Sequence, residues 1–387
     1  MKNQSSESLL SIFLRFLRFG FLAWGGPVAQ IAMIKDELVD RDKWVSPEKF
    51  KRTLAVYQAL PGPEAHELCV YFGMIRKGRW GGFLAGLGFM LPGFILMLML
   101  SWAYTIYGAV TLLPLFASVA PAVSALIVRA THRISSHILL DKAHWVCAIF
   151  AVILTLLGVH FMDVFIACAT WQALWSANRR RAAITAFLTL NILFIAIALL
   201  FPTSGVIKIN GGHNLLMEGL KAGLLSFGGA YAAIPFLQNS MVGHYPAITH
   251  QVFLYGIALG SVIPAPLIIF GTYLGFIANG FSGAILMTLG IFLPAFAFTL
   301  LGHKHLERLI ENRALHGALD GISAAVVGLL AITALNIFYN TITDLPKLTL
   351  FAASLAALYL LRGKWNIPAV ILLCGALGFL LNHWSLI

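Results

Sequence analysis

Glu64, His66 and Glu67 stand in the stretch "YQALPGPEAHE" (residues 57 to 67), directly behind Pro61, Gly62 and Pro63. Two carboxyls and an imidazole at this spacing can exchange protons, complement the start of a helix, or begin a metal site. The metal reading lacks ligands. His66 and Glu67 open like the zinc-protease motif, but position 70 is Val70, and no clustering of Asp, Glu or His elsewhere supplies a third ligand. No metal and no cofactor are therefore expected. A membrane-embedded hydrolase built on Glu64, His66 and Glu67 stays open as the enzyme alternative. Ionisable groups inside membrane segments are costly, about 2.5–3.5 kcal/mol each on insertion scales for Asp, Lys and Arg, so these three are candidates for proton coupling.

The preceding residues say how the group is held. Each proline of Pro61-Gly62-Pro63 lacks a backbone donor and stops a helix, while Pro63 suits the first position of a new one, with Glu64 and Glu67 in its first turn. The stretch predicts two half-helices meeting at a break. Helix starts present unpaired N–H groups and about +0.5 of a charge, which suits an anion. Gln58, Ser226, Ser261 and Thr272 are the polar neighbours that can add hydrogen bonds.

Everything around these residues is apolar. The 387 residues are 59% hydrophobic and 11% charged, with a mean hydropathy of +0.86, which marks an integral membrane protein. Apolar runs such as 83 to 106, 183 to 201 and 366 to 382 are long enough to cross a bilayer and do not alternate as barrel strands would. The net charge of +11 is spread through loops, so it reads as the positive-inside rule rather than nucleic-acid binding. Cys69, Cys147, Cys168 and Cys374 have neither metal nor disulfide spacing and read as packing residues. No Walker-type loop is present, which disfavours ATP-driven pumping, and the polar first eleven residues lack the pattern of a cleaved signal peptide.

The chain repeats itself. Gly20, Gly25, Gly26, Phe50, Pro61 and Pro63 match Gly223, Gly228, Gly229, Phe253, Pro264 and Pro266 without a gap. "FMLPGF" (89 to 94) parallels "IFLPAF" (291 to 296) one residue out of step, and "VAPAVSALI" (119 to 127) parallels "ISAAVVGLL" (322 to 330). Leu267, Ile269 and Phe270 stand where the first half has Glu64, His66 and Glu67, so the scaffold is duplicated and the ionisable chemistry is not. Equivalent loops differ in charge: Arg76, Lys77 and Arg79 face Asn279, Gly280 and Ser282, whereas Lys304, Arg308 and Arg313 face a neutral connection near Tyr107 to Thr111. Arg362 and Lys364 likewise face the turn at Gly158 to His160. The halves are predicted to be inverted.

The expected fold class is all-α: a polytopic membrane protein of about thirteen crossings, two inverted repeats with broken helices. Residues 1–178 form the first repeat, 179–212 a connecting helix and loop, and 213–387 the second repeat. Crossings are expected near 12–34, 47–76 (broken), 80–106, 112–131, 143–157, 160–177, 183–201, 215–240, 249–279 (broken), 281–301, 315–338, 346–361 and 366–384. Either broken segment can instead be a re-entrant hairpin, which changes the parity. The N-terminus is placed inside.

"FGFLAWGGPVAQ", "LPGPEAHE" and "GFMLPGF", with "SFGGAYAAIPFL" in the second half, resemble the signature segments of the chromate ion transporter family, and the likeness runs over both halves. The resemblance implies a secondary transporter of the bacterial inner membrane that exports chromate, with sulfate as the related oxyanion; the alternative within transport is sulfate or another small anion. The family motifs fall on Gly25, Gly26, Pro27, Pro61, Gly62 and Pro63, with Trp24 where Phe is usual and Gln30 where His is frequent. The expected substrate site comprises these six residues with Gln58, Ser226, Gly228, Gly229, Ser261, Pro264 and Pro266. Expected partners are the inorganic oxyanion and the lipid bilayer, with a homodimer possible and no nucleic acid.

Overall fold

The computed structural model describes residues 7–200, 214–226, 230–310, 313–361, 363 and 365–383. Among these the chain is helical and contains no strand. Glu64–Tyr107, Arg180–Ala198, Leu267–Gly302 and His316–Thr341 are long and apolar enough to cross a membrane; Lys142–Leu156, Leu345–Leu360 and Asn366–Leu377 are shorter apolar helices. Contacts divide the chain into two compact units. One comprises residues 1–126, 215–303 and 340–387, and the other residues 127–214 and 304–339.

The first unit opens with helix α1 (Leu9–Phe21), capped by Ser8, which accepts from the Ser11 N–H. After a break, α2 (Gly26–Ile34) begins and runs into a π-helical stretch, Lys35–Arg41. The two limbs lie side by side. Arg18 pairs with Glu37 at 2.8 Å, Arg15 pairs with Asp42, and the Phe16 and Trp44 rings are 6.4 Å apart. In one straight helix Arg18 and Glu37 would be about 28 Å apart. Residues 12–34 therefore fold as a hairpin rather than the single crossing expected.

The segment 47–76 does the same. Helix α3 (Pro47–Ala59), capped by Ser46, ends before Leu60, and α4 (Glu64–Ile138) starts behind Pro63. Phe50 stacks on Phe72 at 6.3 Å and Tyr57 meets Tyr71 at 6.2 Å, so the limbs before and after Pro61-Gly62-Pro63 run antiparallel. The break is a reversal of chain direction. A second reversal follows inside α4 at Gly78, whose φ of 61° favours glycine. Beyond it the limbs touch so closely that a methyl group on Gly73 would lie 2.3 Å from the Gly81 carbonyl oxygen.

The second half repeats these moves. Helices α8 (Leu215–Leu224) and α9 (Ala233–Met241) pack together, with a 3₁₀ turn at Ala230–Ala232 before α9. Helix α10 (His250–Val262) is capped by Thr249, the counterpart of Ser46. A 3₁₀ turn, Leu267–Ile269, leads into α11 (Phe270–Ile310). Phe253 lies 5.7 Å from Phe270, and a methyl on Gly256 would meet the Tyr273 ring at 2.8 Å, so these limbs also reverse at Pro264-Ala265-Pro266. The next reversal is at Gly280 (φ 58°), beyond which a methyl on Gly275 would lie 2.4 Å from the Gly283 carbonyl.

The reversals sit beside the middle of longer helices. Gly20 approaches the Phe89 carbonyl and Pro92, and Gly223 approaches the Ile291 carbonyl and Pro294. Pro92 is 13 residues past Arg79, near the centre of the expected crossing 80–106. Trp80 and Tyr107, both exposed, mark its ends as interfacial aromatic residues do. Helices α13 (Leu345–Leu360) and α14 (Asn366–His383) complete this unit, with α14 packed on α10.

The second unit is built on α5 (Lys142–Leu156), α6 (Phe161–Ser176), α7 (Arg180–Leu200) and most of α12 (Arg313–Thr341). Phe187 of α7 meets Phe150 and Trp171, each at 4.9 Å. Cys147 and Cys168 each donate a thiol hydrogen bond to the other's carbonyl, the packing role expected of them. Gly321 lets α12 lie directly on the Cys168 carbonyl.

If residues 12–34 and 47–76 are hairpins, the loop between them lies on the same membrane face as the turn at Gly78. Lys49→Cys and Arg79→Cys proteins should then react with an impermeant thiol reagent from one and the same side, compared in intact cells and inverted vesicles. Reaction from opposite sides would show that 47–76 crosses.

Candidate functional site

The tip of the second hairpin is where chemistry gathers. Pro61, Gly62 and Pro63 are all buried, and Gly62 adopts φ 152°, a conformation that side chains other than glycine rarely take. Its N–H donates to the carbonyl of Ser226 in the second half at 3.4 Å. A methyl group at Gly62 would stand 2.7 Å from Oε1 of Glu67. Glu67 thus folds back from the first turn of α4 onto the reversal that starts it.

Glu67 is fully buried, and neither carboxylate oxygen has a hydrogen-bond partner among the described residues. Glu64, one turn earlier on the same face, lies close enough for its charge to act on Glu67 and is reached by the Gln58 amide from the incoming limb. Burying an ionised carboxylate without a partner is costly, so Glu67 is an exception in need of a role. The N–H groups of Glu64 and Ala65 also have no partner among the described residues, while those of His66 and Glu67 donate to the Pro63 carbonyl.

His66 points elsewhere. Its ring lies 4.9 Å from Phe292, 4.7 Å from Phe296 and 6.5 Å from Phe89, between the two proline motifs of the long helices. It is fully buried, and neither ring nitrogen has a well-formed hydrogen bond among the described residues. The structure therefore groups Glu64, Glu67 and Gln58 with Gly62, and places His66 in an aromatic cage shared by both halves.

The tip of the fourth hairpin has the same backbone and none of the acids. Pro264, Ala265 and Pro266 are buried, and Ala265 packs so closely on Gly93 of "LPGF" that a methyl there would be 2.4 Å from its Cβ. The N–H groups of Leu267 and Ile268 have no partner among the described residues. Two hydroxyls expected to bind ligand are already donating to their own helices, Ser226 to the Gly223 carbonyl and Ser261 to that of Ile257, each at 2.7 Å. They keep only acceptor capacity. Thr272 is paired with Thr288.

At the first hairpin, Gly25 (φ 88°) and Gly26 (φ 77°) make the turn, and Pro27 sits in the first turn of α2. A methyl at Gly26 would meet nothing within 4 Å, so this glycine borders open space. Gln30 donates to the Ala23 carbonyl across this tip at 2.8 Å. Its structural part was not legible from residue type, since a lone glutamine in an apolar helix carries no spacing signal. Gly228 and Gly229, expected to mirror Gly25 and Gly26, lie outside the described residues, as do Arg362 and Lys364.

With this geometry in view, comparison with known proteins gives a consistent answer. The family model described as "Chromate transporter" matches residues 10–173 and again 213–379. The chain belongs to the chromate transporter family. A chromate transport protein of Pseudomonas aeruginosa is 48% identical over 386 residues, covering 95% of this chain and 91% of that one. One from Cupriavidus metallidurans is 28% identical over 389 residues, 97% and 95% of the two chains. The uncharacterized transporter YwrB of Bacillus subtilis is 26% identical over 165 residues, which are 42% of this chain and 82% of that protein. A unit of about half this length therefore exists as a chain of its own. No solved structure matches. This family member is a membrane transporter and not an enzyme, which removes the hydrolase alternative.

Gly62 and Gly26 separate packing from conformation. Gly62→Ala forces both a contact with Glu67 and a strained φ, and should cost about 1–3 kcal/mol of stability and most of the transport. Gly26→Ala meets only the strain and should lose less of each. Thermal unfolding in detergent and flux in proteoliposomes measure the two losses.

Proposed function

We propose that this chain exports chromate across the bacterial inner membrane, with sulfate as a related ion, and binds it between the tips of the re-entrant hairpins. The observation that carries this reading is the meeting of the two halves at the Gly62 N–H and the Ser226 carbonyl, flanked by unpaired N–H groups at helix starts. Such groups are donors for the oxygens of a tetrahedral anion. Gly25, Gly26, Pro27, Pro61, Gly62, Pro63, Pro264 and Pro266 shape the backbone of this site; Gly228 and Gly229 are assigned to it from the sequence repeat alone. Gln58, Ser226 and Ser261 line it.

The proposed topology has nine crossings. Four hairpins enter and leave on one face each, so the crossings near 12–34, 47–76, 215–240 and 249–279 are withdrawn from the count of thirteen. The 60 residues of α4 after Gly78 would be about 90 Å long if straight. We place a further reversal near Tyr107 to Thr111. The first two hairpins then start from the cytoplasm, where Lys35, Arg41, Lys43, Lys49, Lys51, Arg52, Arg76, Lys77 and Arg79 collect. The last two start from the opposite face, and residues 214–282 carry only Glu218 and Lys221 as charged side chains. This is an inverted repeat with the N-terminus inside, and rocking of one half against the other gives alternating access.

Glu64 and Glu67 supply the coupling. A carboxylate beside the anion repels it, and the repulsion is strong in a low-dielectric cavity. A proton on Glu67 and an anion at the tip therefore stabilise one another, so anion affinity rises as pH falls. His66, caged away from the tip, tunes how the two halves pack.

Everted vesicles containing the protein should accumulate chromate when energised, and Pro266→Leu should abolish this while the protein still inserts. Glu67→Gln, a fixed neutral form, should keep anion binding and show a shallower rise of affinity with falling pH. Unchanged flux in Pro266→Leu would place the site elsewhere, and an unchanged pH slope in both Glu64→Gln and Glu67→Gln would remove the carboxyls from coupling.

A further inference from the structure

The two halves hold equivalent carbonyls in different ways. Ala23 and Ser226 occupy the same place in the repeat. The Ser226 carbonyl receives the Gly62 N–H from the other half, whereas the Ala23 carbonyl receives the side-chain amide of Gln30 from its own. The counterpart of Gln30 is Ala233, which offers no hydrogen bond. Gln30 is therefore a device that only the first hairpin has.

Gln30 is 1% exposed, and its Oε1 has no partner among the described residues. The amide cannot be turned round, because the group facing the Ala23 carbonyl must be a donor; the end left over is then an acceptor. An unsatisfied buried acceptor costs about 1–3 kcal/mol, which a ligand carrying a hydroxyl can recover. A second feature agrees. The three tip stretches 22–30, 58–67 and 260–270 contain no Lys or Arg; their titratable side chains with acid or imidazole groups are Glu64, His66 and Glu67. Backbone donors without a cationic side chain favour an ion of single charge over one of double charge.

We propose that Gln30 is a specificity-determining residue of the transport site, whose free acceptor selects a singly protonated tetrahedral oxyanion. The inference rests on the oxyanion site proposed above. Its chemistry sorts the two candidate ions: chromate takes up its first proton near neutral pH, whereas sulfate stays a dianion throughout that range. A site built to bond a hydroxyl rejects the analogue that lacks it. The transported species brings its own proton, in addition to any carried by Glu67.

The test is chromate flux into proteoliposomes between about pH 6 and pH 8, with sulfate as competitor. In Glu67→Gln, where that carboxyl no longer titrates, KM in total chromate should still rise with pH and stay constant when expressed as the protonated ion; in Glu67→Gln and the parent alike sulfate should compete poorly at every pH. The Glu67 titration of the parent adds a bend common to the profiles of both ions. Gln30→Met keeps the volume and removes both hydrogen bonds, and should raise KM about tenfold at the acid end while leaving the weak sulfate inhibition unchanged. Gln30→His can give an N–H to the Ala23 carbonyl and a lone pair to the ligand, and should restore the parent behaviour. Parent KM and pH slope in Gln30→Met, or failure of Gln30→His alongside a working Gln30→Met, would reduce Gln30 to a brace for the hairpin. Strong competition by sulfate in the parent would also overturn the proposal. Absence of chromate flux in the parent would overturn the transport reading beneath it.

Discussion

A helix that stops halfway through a bilayer leaves carbonyls at one end and N–H groups at the other, where hydrocarbon can satisfy neither. The first unit is organised around this constraint. Its reversals pack against long helices, and glycine makes that packing possible. At Gly20 and Gly223 the approach is to main-chain carbonyls rather than side chains, so the helix axes come closer than any larger residue allows. Prolines 92 and 294, at the contacted points, fill the gap from the other side. The same features that shield the tips also fix where donors face inward.

Close packing explains why the sequence showed some of this and hid the rest. Helical membrane class followed from composition, and the duplication followed from prolines and glycines at constant spacing, because those residues are chosen for backbone geometry. The family matched twice along the chain agrees with that reading. The direction of the limbs was harder to see. A proline pair breaks a helix but does not say whether the chain continues onward or turns back, and only contacts such as Phe50 with Phe72 distinguish the two. The charge pattern did contain a clue. Residues 35–52 are as rich in charge as 76–79, which is hard to reconcile with opposite faces and natural for one.

At the site, residue type and spacing grouped three ionisable side chains, of which the structure brings two together and sets the third apart. Glu64 and Glu67 are three apart and share a face, whereas His66 lies off it, and helical geometry sends its ring to Phe292 and Phe296. Ser226 and Ser261 illustrate a different limit. A small hydroxyl in an apolar helix tends to bond its own backbone, and only coordinates reveal that its proton is already committed.

The 3₁₀ turn behind Pro266 bears on how the halves differ. Pro63 and Pro266 are 203 residues apart, but Tyr71 and Tyr273, and Gly78 and Gly280, are 202 apart, so the second half lacks one residue in the first turn after its proline. That turn is α-helical in the first half and the 3₁₀ stretch Leu267–Ile269 in the second. Three residues of 3₁₀-helix rise about 6 Å, the same as four of α-helix. The shorter copy thus reaches the same height, and the contacts below it, from Gly73 with Gly81 to Gly275 with Gly283, are preserved. A one-residue difference at the turn that carries the acids in the first half is thus absorbed by overwinding. The carboxyls stand in one copy only, on a frame that both copies keep.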